Sequence, residues 1–254
     1  MFIDTHTHLY LDSFSDDRVE VMERALQNGV TRMLLPNIDS GTIQSLYTTT
    51  DQYSHICLPM MGLHPNSVKK NFKYELNTIE KQFQYRRFIA VGETGMDLYR
   101  NPEFALEQEI AFETQIRWAR ESGLPIVIHA RQSFREIFKV LDKIREPGLK
   151  GVFHSFSGDI KEAEKALSYG FYIGINGMVT FKNSNIAGIV AGLPLERILL
   201  ETDAPFLSPE PFRGKRNESS YLIYIAGKIA EIHRVSIKEL ADITTGNAER
   251  LFKI

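Results

Sequence analysis

FIDTHTH, residues 2–8, decides the fold by the way it ends. It begins as an apolar strand and finishes in two histidines one residue apart. Side chains alternate along a strand, so His6 and His8 project from one side, ~7 Å apart along the backbone, with Asp4 on that same side. An open doubly wound sheet usually follows its first strand with a glycine-rich phosphate turn. Here HTH stands in that place. Seven more apolar runs follow: TRMLLPN (31–37), ICLPMMG (56–62), FIAVGET (88–94), PIVIHA (125–130), GVFHSF (151–156), FYIGING (171–177) and RILLETD (197–203). Each precedes a segment able to form a helix. Near-continuous apolar runs belong to strands covered on both faces, and strand–helix alternation builds right-handed parallel units. Eight such units over residues 1–254 predict a single-domain α/β chain, a (β/α)8 TIM barrel.

Helix punctuation agrees. Asp159 is placed to cap IKEAEKAL with Glu162 three residues on, and Ser236 with Glu239 repeats the pattern before LADIT. Between 103 and 122, Phe104, Ile110, Phe112, Ile116 and Ala119 recur at helical spacing until Gly123 stops the helix.

The composition is that of an ordinary globular chain: 43% hydrophobic, 24% charged and a net charge of -2. No global basic field advertises a polyanion, so any such contact must come from a local patch or from bound cations. The single cysteine, Cys57, excludes an internal disulfide and reads as a small buried hydrophobe rather than a nucleophile. MFIDTHTH lacks a basic leader region, and no apolar stretch approaches the ~20 residues that span a bilayer. The expectation is a cytoplasmic protein with no membrane partner; oligomeric state is left open.

Active sites of such barrels lie at the C-terminal strand ends. The polar residues closing the apolar runs are His6 and His8 (first strand), Glu93 (fourth), His129 (fifth), His154 (sixth) and Asp203 (eighth). Four of the seven histidines thus occupy equivalent strand-end positions, on three different strands. Four imidazoles and two carboxylates exceed one tetrahedral ion and suit two divalent ions, with Glu93 the natural bridge. Nitrogen and oxygen ligands fit Zn, Mn, Fe or Co more naturally than Mg, and leave Mg open. Glu201, two residues before Asp203, is expected either to tune a ligand and share in proton transfer or to pair with an arginine such as Arg131. His64, in GLHP, is expected to touch substrate or protonate a leaving group. His55 and His233 read as surface residues.

PEPFRGKRNES, 209–219, follows the last strand and gathers Arg213, Lys215 and Arg216 around Gly214. A solvated basic loop is the ordinary meaning of such a cluster. Its place beside the expected metals favours phosphate binding, which arginine performs with two parallel hydrogen bonds. Arg100, Arg131 and Lys182 lie on other loops of the same rim and extend the patch.

Taken in order, HTH, GETGMD, VIHAR, FHSFSG, LLETDAPFL and RGKRNE resemble the TatD family of metal-dependent deoxyribonucleases, within the wider amidohydrolase-like barrels. The match runs in order from residue 3 to about 252, effectively the whole chain. The resemblance implies a TIM barrel with two or more divalent ions on His6, His8, Glu93, His129, His154 and Asp203. It also implies a cytoplasmic phosphodiesterase acting on DNA, often described as a 3′-to-5′ exonuclease. This chain has Asn217, Glu218 and Ser219 where the family commonly reads NEP, and GMDLYR where it often reads GLDY. Both departures border the expected substrate loops.

The expected reaction is attack on a phosphodiester by metal-activated water, with Asp203 accepting a proton and Arg213 or Arg216 stabilising phosphate charge. The low net charge favours a single strand or frayed end entering a pocket over tight duplex binding. The nearest rival is a barrel hydrolase of small phosphoesters, lactones or amides with the same metals, for which the RGKR loop has no obvious use. A hydrolytic deaminase would want fewer ligands, and a purely structural metal site is usually closed and rich in cysteine.

Overall fold

All eight apolar runs become parallel strands in the computed structural model, which describes residues 1–144 and 148–254. They are β1 (Phe2–Asp4), β2 (Val30–Pro36), β3 (Cys57–Met60), β4 (Val91–Asp97), β5 (Ile126–Arg131), β6 (Gly151–His154), β7 (Tyr172–Ile175) and β8 (Ile198–Leu200). Ladders join β1 to β3 in one set and β4 to β8 in another, in sequence order. Two narrow seams close the ring. At one, Met61 pairs with Val91 and Gly92 donates its N–H to Met61 O at 2.9 Å. At the other, Thr7 pairs with Ala204, and the N–H groups of Thr5, Asp203 and His8 donate to Leu200, His6 and Ala204 at 3.0, 2.9 and 2.7 Å. The result is a (β/α)8 barrel.

The helices are α1 (Arg18–Gln27), α2 (Ile43–Gln52), α3 (Phe72–Glu80), α4 (Ala105–Ser122), α5 (Phe134–Ile144), α6 (Ile160–Ser168), α7 (Ile186–Val190), α8 (Leu222–His233) and α9 (Ile237–Phe252). Asp159 caps α6 in a reciprocal capping box with Glu162, and Ser236 accepts from Glu239 N–H at the start of α9. The helix expected over 103–122 opens as a 3-10 turn at Pro102–Phe104, and left-handed Gly123 ends it at φ +65°. Two helices rather than one follow β8. The second earns its place: Ala248, Leu251 and Phe252 of α9 pack onto Ile3, Leu34, Met60, Ala90, Val127, Val152, Tyr172 and Leu199, an apolar layer drawn from around the whole barrel. That layer plugs the N-terminal end and leaves polar chemistry to the opposite mouth.

Strand alternation then places the functional side chains. Val127 leads to His129, Val152 to His154, and Leu199 to Glu201 and Asp203, each two residues on and hence on the same face. The expected 88–94 strand pairs three residues later, at Val91–Asp97, because Gly95, Met96 and Asp97 continue along His129, Ala130 and Arg131. Its register shifts between Val91 and Thr94, which re-aims Glu93 inward out of phase with Ala90. Gly95, at φ +124°, lies so close to β5 that a Cβ there would collide with the His129 carbonyl. No helix among the described residues is long and apolar enough to cross a membrane.

Candidate metal centre

Glu93 is the hub. Its Oε2 lies 3.1 Å from His6 Nε2 and 3.7 Å from His8 Nε2. Its Oε1 lies 2.8 Å from His129 Nδ1, 3.3 Å from His64 Nε2 and 3.4 Å from His154 Nε2. Asp203 Oδ1 closes the other side, 3.9 Å from His6 Nε2, 3.7 Å from His8 Nε2 and 4.0 Å from His154 Nε2. The structure thus brings His6, His8, Glu93, His129, His154 and Asp203 together, and adds His64 to them. Three ligand-like groups result: His6 with His8 and Asp203, His6 with Glu93 and His154, and His64 with Glu93 and His129.

A cation fits this donor set on the geometry alone. The Nε2 atoms of His6 and His8 face each other at 3.3 Å, and the His6 and His154 rings stack at 3.4 Å between centroids. His6 Nδ1 is buried with no hydrogen-bond partner. Crowding so many lone pairs in a dry site costs energy unless positive charge lies among them. The electrostatics carry the same mark. Burial pushes Asp203 up to about 7 and His8 down to about 4. Burial also opposes ionisation of Glu93, but His64, His154 and His6 hold it well below the carboxylate range. Burial would neutralise His154, yet Glu201, Glu93 and Asp203 drive it up to about 10.

Neighbouring groups fix which nitrogen faces inward. Tyr10 donates its hydroxyl proton to Pro36 O at 2.7 Å, so it can only accept from His8 Nδ1, 3.1 Å away. The His8 Nε2 lone pair therefore points at the centre. Asp97 Oδ2 takes His129 Nε2–H at 3.1 Å and leaves His129 Nδ1 inward. Glu201 Oε1 lies 3.1 Å from His154 Nδ1, off the line of a well-aligned hydrogen bond, and accepts Ser155 N–H at 2.5 Å. Gly174 makes room for it, since a Cβ there would strike the Glu201 carboxylate. His64 differs from the rest: its Nδ1 accepts Asn66 N–H at 3.0 Å, so its proton resides on the Nε2 that faces Glu93. Among these orienting groups, Tyr10 and Asp97 escaped the sequence reading. Their signals were present, Tyr10 two residues beyond His8 and Asp97 closing GETGMD.

Other expectations land elsewhere. Asp4 does not share the face of His6 and His8. The β1 ladder ends at Asp4 and the alternation changes phase there, so its carboxylate turns to Thr202 and Ser219. Glu201 pairs with His154 and not with Arg131, whose guanidinium stacks 4.2 Å over Tyr99. Arg216 turns away from the mouth to Asp17, with contacts of 2.8 and 2.5 Å, and to Ser13 O at 2.6 Å. Arg213 stacks 4.4 Å over Phe181, and Lys215 lies exposed 5.9 Å from the Phe212 ring. Asn217, Glu218 and Ser219 face inward and hold the loop: Asn217 Nδ2 donates to Thr202 O and Phe206 O, Glu218 pairs with Arg24, and Ser219 donates to Asp4. His55 is exposed, whereas His233 is half-buried with Nε2 3.0 Å from Val190 O.

Comparison with known proteins bears on what such a centre does. Residues 3–253 match the family model for TatD related DNase. A Bacillus subtilis protein described as an uncharacterized metal-dependent hydrolase, YabD, is 36% identical over 255 residues, covering 100% of each chain. A Pantoea ananatis protein described as the 3′-5′ ssDNA/RNA exonuclease TatD is 30% identical, covering 98% of each. The crystal structure of the Escherichia coli TatD homologue YjjV superposes with a TM-score of 0.93 at 28% identity, over 100% of this chain and 98% of that one.

Proposed function

The chain belongs to the TatD-related DNase family and is a metal-dependent hydrolase, and from that premise we propose that it removes nucleotides from the 3′ end of single-stranded DNA. The observation that carries this reading is the convergence of imidazoles and Asp203 on Glu93 at the barrel mouth.

His6, His8 and Asp203 would hold one divalent ion and His129 and His154 a second, with one Glu93 oxygen turned to each group; Zn, Mn or Mg are the candidates. Bound there, such ions supply water activated near neutral pH and positive charge for the phosphate oxygens. Asp203 turns Oδ1 to the imidazoles and accepts the attacking water's proton on Oδ2. His64, fixed by Asn66 as the Nε2–H form, offers that N–H as a hydrogen-bond donor to the departing oxygen, whose proton comes from solvent. Glu201 and Asp97 are positioning residues, acting through His154 and His129. Arg213 and Lys215 offer exposed positive charge to the following phosphates, and the relative named as a single-strand exonuclease supports DNA over an uncharged substrate. Arg216 is given no phosphate in this reading, because Asp17 already holds it.

The test is a time course on end-labelled single-stranded DNA, with protein stripped of metal and resupplied with Mg, Mn or Zn separately. A metal-restored ladder shortening from the 3′ end is expected. Turnover of a lactone or small phosphoester, with DNA left intact under every metal, overturns the nuclease reading and leaves the hydrolase.

A further inference from the structure

A large aromatic ring left in solvent beside a buried polar centre needs a reason. Phe206 is 51% exposed, three residues beyond Asp203, and its ring meets that of His8 edge-on at 6.2 Å. A single exposed phenylalanine is unremarkable when it swings on a loose loop. This one is fixed. Phe206 N–H donates to Asp203 O at 2.8 Å, and its carbonyl accepts from Asn217 Nδ2 at 2.6 Å. Asn217, fully buried, also donates Nδ2 to Thr202 O at 2.8 Å and its N–H to Pro205 O at 3.1 Å. The turn is thus stitched to the strand end that carries Asp203, which fixes the backbone from which the ring projects. Across the loop, Arg213 is held over Phe181 at 4.4 Å, and no carboxylate pairs with it among the described residues.

We infer that Phe206 is the platform on which the base of the terminal nucleotide stacks while its phosphodiester lies at the metal centre. The inference rests on the nuclease reading above. Every nucleobase has a flat face, so a ring platform grips an end without choosing its sequence. A rigid platform adds affinity because little order remains to be imposed on binding. Arg213, cationic and already aligned by its own aromatic partner, is placed for the phosphate that follows.

The experiment compares metal-loaded wild type, Phe206→Ala and Phe206→Trp on two single-stranded oligonucleotides, one with a normal 3′-terminal base and one with an abasic 3′-terminal residue. On the normal end, Phe206→Ala should lose about 10- to 100-fold in kcat/KM, mostly through KM, and Phe206→Trp should restore it. On the abasic end wild type should fall by a similar factor, with Phe206→Ala falling no further. Equal losses for Phe206→Ala on both ends, or none on either, overturn the platform. A melting temperature matching wild type separates either result from misfolding. Should wild type cut neither oligonucleotide yet hydrolyse bis(p-nitrophenyl) phosphate, the nuclease reading fails and the platform falls with it. DNA cleaved with no sensitivity to the terminal base overturns the platform alone.

Discussion

Tyr10 has one hydroxyl proton, and giving it to Pro36 O determines which nitrogen His8 turns to the centre. Tyr10→Phe should therefore weaken divalent-ion binding by about 10- to 100-fold, read by calorimetric titration of metal-stripped protein. Unchanged affinity would mean that His8 is oriented by something else. Asp203 has a different constraint. Its backbone is left-handed, at φ +59°, a conformation asparagine tolerates at least as well as aspartate. Asp203→Asn should keep the fold while removing the charge and the proton acceptor. Turnover should drop by at least about 100-fold with the melting temperature within a few degrees of wild type. Loss of stability in step with turnover would mark the centre as structural instead.

Between elements, a chain of charge ties the last loop to α1. Arg24 grips Glu218 through two contacts, of 2.9 and 2.6 Å, and approaches Asp17, which in turn binds Arg216. Burial raises the proton affinity of Glu218, but Arg24 and Ser220 outweigh it and leave the carboxyl below its ordinary value. Arg216, with burial opposing, does the same for Asp17. A carboxyl depressed in the folded state contributes stability above its unfolded pKa and loses it as pH falls through the folded one. The contribution is therefore present at neutral pH and fades below about 4.5 for Glu218. Because Arg24 is well exposed, solvent limits the effect to about 1 kcal/mol. Glu218→Gln should be less stable than wild type by about that much at pH 7 in urea denaturation, with the gap closing as pH falls below about 4. A gap that widens in acid would reverse the assignment.

For the molecule as a whole, the barrel closes between β8 and β1 with few backbone bonds, so side chains carry part of the join. Asp4, fully buried, accepts from Thr202 N–H at 2.9 Å and from the hydroxyls of Thr202 and Ser219 at 2.6 Å each. The Ser219 hydroxyl thus takes part in the seam through Asp4. Asp4→Ala would remove the acceptor of the buried Thr202 and His6 N–H groups and of two hydroxyls, and should cost about 2 kcal/mol in urea unfolding, part of the full loss being offset by relief of a buried charge. A variant as stable as wild type would show that the backbone bonds alone close the ring.

The barrel was legible in the sequence because parallel strands buried on both faces must be near-continuously apolar, and FIDTHTH begins such a run and ends it in two histidines. The ends of those runs also pointed to His6, His8, Glu93, His129, His154 and Asp203, since the C-terminal strand ends of such a barrel all open on one mouth. Other features depend on which strand lies beside which. The bulge that aims Glu93, the Tyr10 and Asp97 contacts that choose a nitrogen, the turning of Asp4 into the seam and the capture of Arg216 by Asp17 all join residues through space. A hydrogen bond between Asp4 and Ser219, 215 residues apart, leaves no periodicity to read, and only the closed barrel brings them together.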